Sequence, residues 1–148
     1  MARRPPVIAH SGWATVKLKF VAVQTTFLTR HGTKAPVASP RITTGMLGAG
    51  AVRFAKPDDV LGLAEGIETA LSAQQLTGIP TWACLGATRM HRVVIPEHIR
   101  ELHLFGDNDD AGRDAVNRAA YQNRERRVVL RFPPDTCNDW NDLLTSAP

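Results

Sequence analysis

From residue 60 onward, short apolar runs alternate with stretches of helical period, and no other feature of the sequence restricts the fold as much. Residues 60–64 (VLGLA) form an apolar run of strand length that stops at Glu65-Gly66. Residues 67–76 (IETALSAQQL) set Ile67, Ala70 and Leu71 at helical spacing, and Gly78 closes the helix. Residues 80–85 (PTWACL) read as a second strand before Gly86. Residues 102–105 (LHLF) read as a third, running into Gly106-Asp107-Asn108-Asp109. A helix over 111–123 follows, with Ala115, Val116, Ala119 and Ala120 on its packed side. Residues 127–132 (RVVLRF) give a last strand, stopped by Pro133-Pro134. Strands alternating with helices predict an α/β fold whose mainly parallel sheet is flanked by helices.

The chain before this pattern differs in kind. Residues 1–57 hold nine Lys or Arg, among them Lys34 and Arg53, and no acid; residues 58–148 hold the other nine and all 14 acids. We therefore divide the chain into a basic N-terminal extension, 1–57, and an α/β domain, 58–148. Such asymmetry points to a polyanion partner for the basic part. Residues 17–29 (KLKFVAVQTTFLT) are rich in Val, Phe and Thr, and Arg30-His31-Gly32 is a turn signal, so a β-hairpin is expected here. Five Pro and Gly residues over 35–50 predict loop.

Several classes are excluded. With 43% hydrophobic residues the chain has material for a core. No apolar run reaches the roughly 18 residues needed to span a bilayer, and no apolar stretch behind Arg3-Arg4 suggests a signal peptide, so a cytoplasmic protein without membrane contact is expected. Cys84 and Cys137 lack partners at metal-ligand spacing and are expected to be free, buried thiols.

Acidic residues fall after the predicted strands. Glu65 follows the first, with Gly66 opening the turn into a helix whose amino terminus favours anions. Asp107 and Asp109 follow another; two apart in extended chain, they can present both carboxylates to one point. Asp139 and Asp142 come after the last strand. Taken singly, each group has a plainer role: Glu65 as a solvated residue, the aspartates as helix caps. Taken together at strand ends, where α/β sheets bind ligands, they suggest a site for a hard divalent cation that completes its shell with phosphate oxygens.

The segments LAEGIETAL (63–71), FGDNDDAGR (105–113) and DWND (139–142) resemble the Toprim domain, the topoisomerase–primase module, and are most similar to the Toprim domains of phage- and plasmid-type primases or primase-helicases. The resemblance runs over about 61–144 and implies a compact Toprim-like (Rossmann-like) fold with the hairpin as an N-terminal extension. It implies use of Mg²⁺ or Mn²⁺, with Glu65 as the signature glutamate, Asp107 and Asp109 as the acidic pair, and Asp139 and Asp142 as additional metal-binding acids. The first three would be catalytic. Gly66, Arg113 and Arg89 are candidate phosphate contacts near the acids; Lys34 and Arg53 are candidate nucleic-acid contacts from the basic extension.

Implied partners are DNA and nucleoside triphosphates, with zinc-binding and helicase modules on a larger protein or on separate chains. The sequence itself carries neither a zinc-binding module nor a Walker lysine motif, and its only tyrosine, Tyr121, lies in a predicted helix, which argues against topoisomerase strand passage. Three functions follow for such a chain: primer synthesis by a primase-type nucleotidyltransferase, hydrolysis by a small Toprim nuclease, or a non-catalytic nucleic-acid- or protein-binding module of phage origin.

Overall fold

The computed structural model describes residues 21–146. They fall into two compact units, divided between Gly48 and Ala49. In the first, β1 (Ala22–Thr26) pairs antiparallel with β2 (Arg41–Gly45). The connection narrows through a Leu28–Lys34 bridge, closed where the Thr29 N–H donates to the Thr33 carbonyl at 2.7 Å. The hairpin expected from the turn at 30–32 is thus present, although its expected first residues, 17–20, lie outside the described residues. The loop expected over 35–50 needs correction. Ile42, Thr43 and Thr44 are β-branched and carry β2 through it, and only the flanking segments are irregular.

The second unit is built on a five-stranded sheet of order β3-β5-β4-β6-β7. Its strands are β3 (Val52–Arg53), β4 (Val60–Ala64), β5 (Thr81–Ala83), β6 (Glu101–Phe105) and β7 (Arg127–Arg131). Three pairings are parallel; β3, at one edge, runs antiparallel to β5. Residues 49–57, assigned from composition to the basic extension, therefore belong by structure to the second unit. Two residues of strand left no readable period in the sequence.

Helices α1 (Ile67–Thr77), α2 (Asp110–Gln122) and α3 (Trp140–Ser146) complete the unit, with a 3-10 helix over Ala87–Arg92. One face of the sheet, through Leu61, Leu63, Leu102 and Leu104, packs with Val116 and Ala119 of α2 and with Met90 and Ile99. The α2 face is the expected one, with Ala115, Val116 and Ala119 buried. The α1 face is so only in part. Of the residues at helical spacing Ala70 is buried, but Leu71 is 43% exposed, and Thr69, Ser72 and Ala73 share the buried side. At the end of α1, Gly78 adopts φ +72° and its N–H donates to the Gln74 carbonyl at 2.8 Å, a left-handed cap that suits glycine. Both cysteines are free and buried, as expected. No helix among the described residues is long and apolar enough to cross a membrane.

Candidate metal centre

Chain order places the site. After β4 the chain moves to β5 on one side, then crosses back to β6 on the other, so β4 and β6 are neighbours whose connections leave in opposite directions. A crevice opens beyond the carboxyl ends of strands at such a switch point. Ala64 lies opposite Phe105 in the register, which brings Glu65 and the Gly106-Asp107 turn to the same sheet edge. Gly106 is required there: a Cβ on it would stand 2.5 Å from the Phe132 ring and 2.7 Å from Val116.

Asp107 is the focus of the acidic cluster. Its carboxyl is pushed up from 3.8 to about 7, first by burial, then by the charges of Glu65, Asp139, Asp109 and Asp142. The other four predicted carboxylates therefore all act on Asp107 at this edge. The Asp107 Oδ1 atom is buried and has no hydrogen-bond partner among the described residues. A buried, unpaired carboxylate oxygen surrounded by like charge is costly unless a cation or proton compensates it.

The other aspartates have structural partners. Asp109 is the N-cap of α2, its Oδ1 accepting from the Gly112 N–H at 2.6 Å. Asp139 Oδ1 accepts from the N–H groups of Asn141 and Asp142, both at 2.8 Å, and Asp142 Oδ2 accepts from the Asn138 N–H at 3.1 Å. The capping role considered for the aspartates is thus present at Asp109 and Asp139. Among the described residues no three His, Cys, Asp or Glu side chains stand grouped as a ready metal cage. The donor set fits a hydrated Mg²⁺ or Mn²⁺ held directly by one or two carboxylates and by others through water, as is usual for Mg²⁺. Asp107, with an oxygen that has no partner among the described residues, is the residue that would hold such an ion directly.

Asn108, passed over in the sequence as the variable residue between two acids, holds the cluster together. Its Nδ2 donates to the carbonyls of Pro133 (3.0 Å), Pro134 (3.1 Å) and Cys137 (2.8 Å), and its backbone N–H donates to the Asn138 carbonyl at 2.8 Å. These bonds bring the loop carrying Asp139 and Asp142 against the β6–α2 turn. The signal was the Pro-Pro pair itself, whose carbonyls need donors the prolines cannot supply locally. Gly112 allows α2 to start against the same turn; a Cβ there would lie 2.6 Å from the Asp107 carbonyl oxygen. Trp140 fastens α3: its ring meets Phe105 edge-on at 5.0 Å, and its Nε1 donates to the Gly106 carbonyl at 3.2 Å. We expect Trp140→Phe, which leaves that carbonyl unpaired, to lower unfolding stability by about 1–2 kcal/mol in a urea titration.

The candidate phosphate contacts are dispersed. Arg113 lies over the Phe132 ring at 4.9 Å and donates to Asn108 Oδ1 at 3.1 Å, so it is a cation fixed beside the acids. Gly66 is the N-cap of α1 and provides no side-chain cap. Arg89 is drawn inward instead: its guanidinium donates to the Cys84 carbonyl at 3.0 Å and the Gly50 carbonyl at 3.1 Å. Arg53 lies 4.3 Å over the Trp82 ring, half-buried. Lys34 is exposed in the first unit. Leu85, between β5 and Gly86, has φ +62°, a left-handed conformation rare for leucine, at the sheet edge where the Gly86 N–H donates to the Glu65 carbonyl at 3.2 Å.

The family model of the Toprim domain matches residues 60–147. The chain belongs to the Toprim family. No curated protein matches it by sequence. Among solved structures, this Toprim chain is similar to the primase fragment of the bacteriophage T7 primase-helicase protein, with a TM-score of 0.62 and 20% identity, covering 85% of this chain and 58% of that one. It is similar also to a DNA primase domain from Pseudomonas aeruginosa, with a TM-score of 0.59 and 17% identity, covering 84% and 47%. At such identities the likeness is one of fold, and the chain spans about half to three fifths of those structures.

Proposed function

We propose that this Toprim domain is the nucleotidyl-transfer centre of a primase-type protein that makes RNA primers on a DNA template. The observation that carries the reading is Asp107: an unpaired, buried carboxylate oxygen at the switch point of the sheet, under the charge of four other acids. Family membership and the primase-like fold support it. Glu65, Asp107 and Asp109 form the catalytic set, and Asp139 and Asp142 extend it toward the substrate side. Together they would hold Mg²⁺ or Mn²⁺, which when bound neutralises charge on the triphosphate and the attacking oxygen. The protein's own contribution is placement: Asn108 holds two of the acids beside the others, and Arg113 offers a fixed cation to a phosphate. Gly66 leaves the first N–H groups of α1 open to a phosphate oxygen, with Arg89 a more distant contact. The basic residues of the first unit, Lys34 among them, and Arg53 on β3 contact the nucleic-acid backbone. DNA and nucleoside triphosphates are the partners, in the cytoplasm, alongside zinc-binding and helicase modules on the same protein or on other chains.

The test is incubation of the chain with single-stranded DNA, ribonucleoside triphosphates and Mg²⁺ or Mn²⁺. Short oligoribonucleotides are expected, and their yield should fall at least 100-fold in Asp107→Asn. Cut DNA in place of new oligonucleotides would replace the reading with a nuclease.

A specific observation favours a second reading, a non-catalytic binding module: Asp109 and Asp139 serve as helix caps, and Asp142 accepts from the Asn138 N–H. Neither product, with DNA or protein binding indifferent to Asp107→Asn, would establish that alternative.

A further inference from the structure

Beside the acidic centre, the β6–β7 edge carries a connected set of charged side chains that the nucleotidyl-transfer reading leaves unused. Among the described residues β7 is the outermost strand and bonds only to β6. Arg127 and Arg131 are four residues apart on it and share one face, with Glu101 and Phe105 opposite them on β6. His103 lies between, its side chain 5% exposed. Its Nδ1 accepts from Arg131 Nε at 2.6 Å, which requires the proton on Nε2, and that N–H donates to Glu101 Oε1 at 2.7 Å. The other Glu101 oxygen, Oε2, pairs with Arg127 at 3.2 Å. A buried neutral imidazole and one carboxylate thus fix two arginines. Burial holds His103 below its ordinary range, which keeps it an acceptor for Arg131.

Arginines on an edge strand also keep it from pairing with other chains. Deterrence alone, however, needs no buried histidine to orient them. Each guanidinium has spare capacity: Arg131 is held through Nε, so its terminal N–H groups have no partner among the described residues, and the Arg127 side chain is 73% exposed. The Arg131 carbonyl accepts from the Gly106 N–H at 2.9 Å, so this row of cations begins one residue from Asp107.

We propose that Arg127 and Arg131 form a contact site for the phosphate backbone of single-stranded nucleic acid lying along β7. At about 3.3 Å per strand residue the two α-carbons are roughly 13 Å apart, the length of about four stacked nucleotides. The partner class rests on the proposed function; the site itself rests on the arginine pair and its buried support.

The experiment measures binding of a fluorescein-labelled oligothymidylate by anisotropy over a range of NaCl concentrations, without divalent metal. Each phosphate contact on a single strand contributes about 0.7 to the slope of log K against log salt. The double variant Arg127→Gln/Arg131→Gln is expected to lower that slope by about 1.4 and to weaken low-salt binding about tenfold. Arg127→Gln alone, at an exposed position that tolerates change, should lower it by about 0.7, and Arg127→Lys should leave it unchanged. An unchanged slope in both glutamine variants overturns the proposal, even if affinity falls. Thermal stabilisation by Mg²⁺, which involves neither arginine, tests the acidic centre separately. Its absence with the slope change intact would defeat the nucleotidyl-transfer reading and leave this site standing.

Discussion

Asp107→Asn should be more stable than the parent protein above pH 7 and should no longer respond to Mg²⁺. In the folded chain the Asp107 carboxyl keeps its proton up to about pH 7, whereas its ordinary value is 3.8. Between those values the folded state binds more protons than the unfolded one, so stability falls as pH rises through the window, and the cost is complete above it. Were the group wholly shielded, the cost would be about 4 kcal/mol. Asp107 is only half-buried and water screens it, so we expect about 1–2 kcal/mol. Asparagine cannot ionise and removes this cost, leaving the metal-free variant that much more stable at pH 8 and nearly equal at pH 4. Mg²⁺ should raise the melting temperature of the parent, more at pH 8 than at pH 6, because its ligand must be deprotonated. A variant less stable than the parent at pH 8, or still stabilised by Mg²⁺, would remove Asp107 from the centre of the site.

Asn108→Ala should produce the largest stability loss that a non-ligand in the centre can cause. Its Nδ2 is shared by three carbonyls and its Oδ1 receives Arg113. At about 1 kcal/mol for each lost bond, a loss of roughly 2–3 kcal/mol is expected. For a domain of this size, that is a fall of roughly 10 °C or more in melting temperature. Asn108→Asp keeps the shape but turns an acceptor toward the three carbonyls, and should be no better. The Mg²⁺-induced shift should shrink in both variants, since Asp139 and Asp142 depend on this anchor for their place. A melting temperature within about 2 °C of the parent would show that the loop docks without it.

Strands β4, β6 and β7, with both longer helices, were legible because their residues carry an unbroken apolar or helical period. β2 was hidden among prolines and glycines, and β3 is too short to have a period. For α1, apolar spacing picked out Ala70 but missed the buried Thr69 and Ser72, whose polarity hid them, and included the exposed Leu71. The five acids could be picked out from their positions at strand ends, but their local duties could not be ranked from spacing alone. Asn108 escaped notice because the one mark of its role, the Pro133-Pro134 pair whose carbonyls it serves, lies 25 residues away in sequence. The inward turn of Arg89 was equally hidden, since its partners, Cys84 and Gly50, are backbone carbonyls that any residue provides.

The backbone bonds of Asp109, Asp139 and Asp142 also affect how an ion would be received. Side chains already immobilised by backbone amides lose little rotational freedom when a cation arrives, so the entropic penalty of ordering ligands falls mainly on Glu65 and Asp107. Their rigidity should favour ions that keep an ordered water shell over those that demand direct contact from every acid.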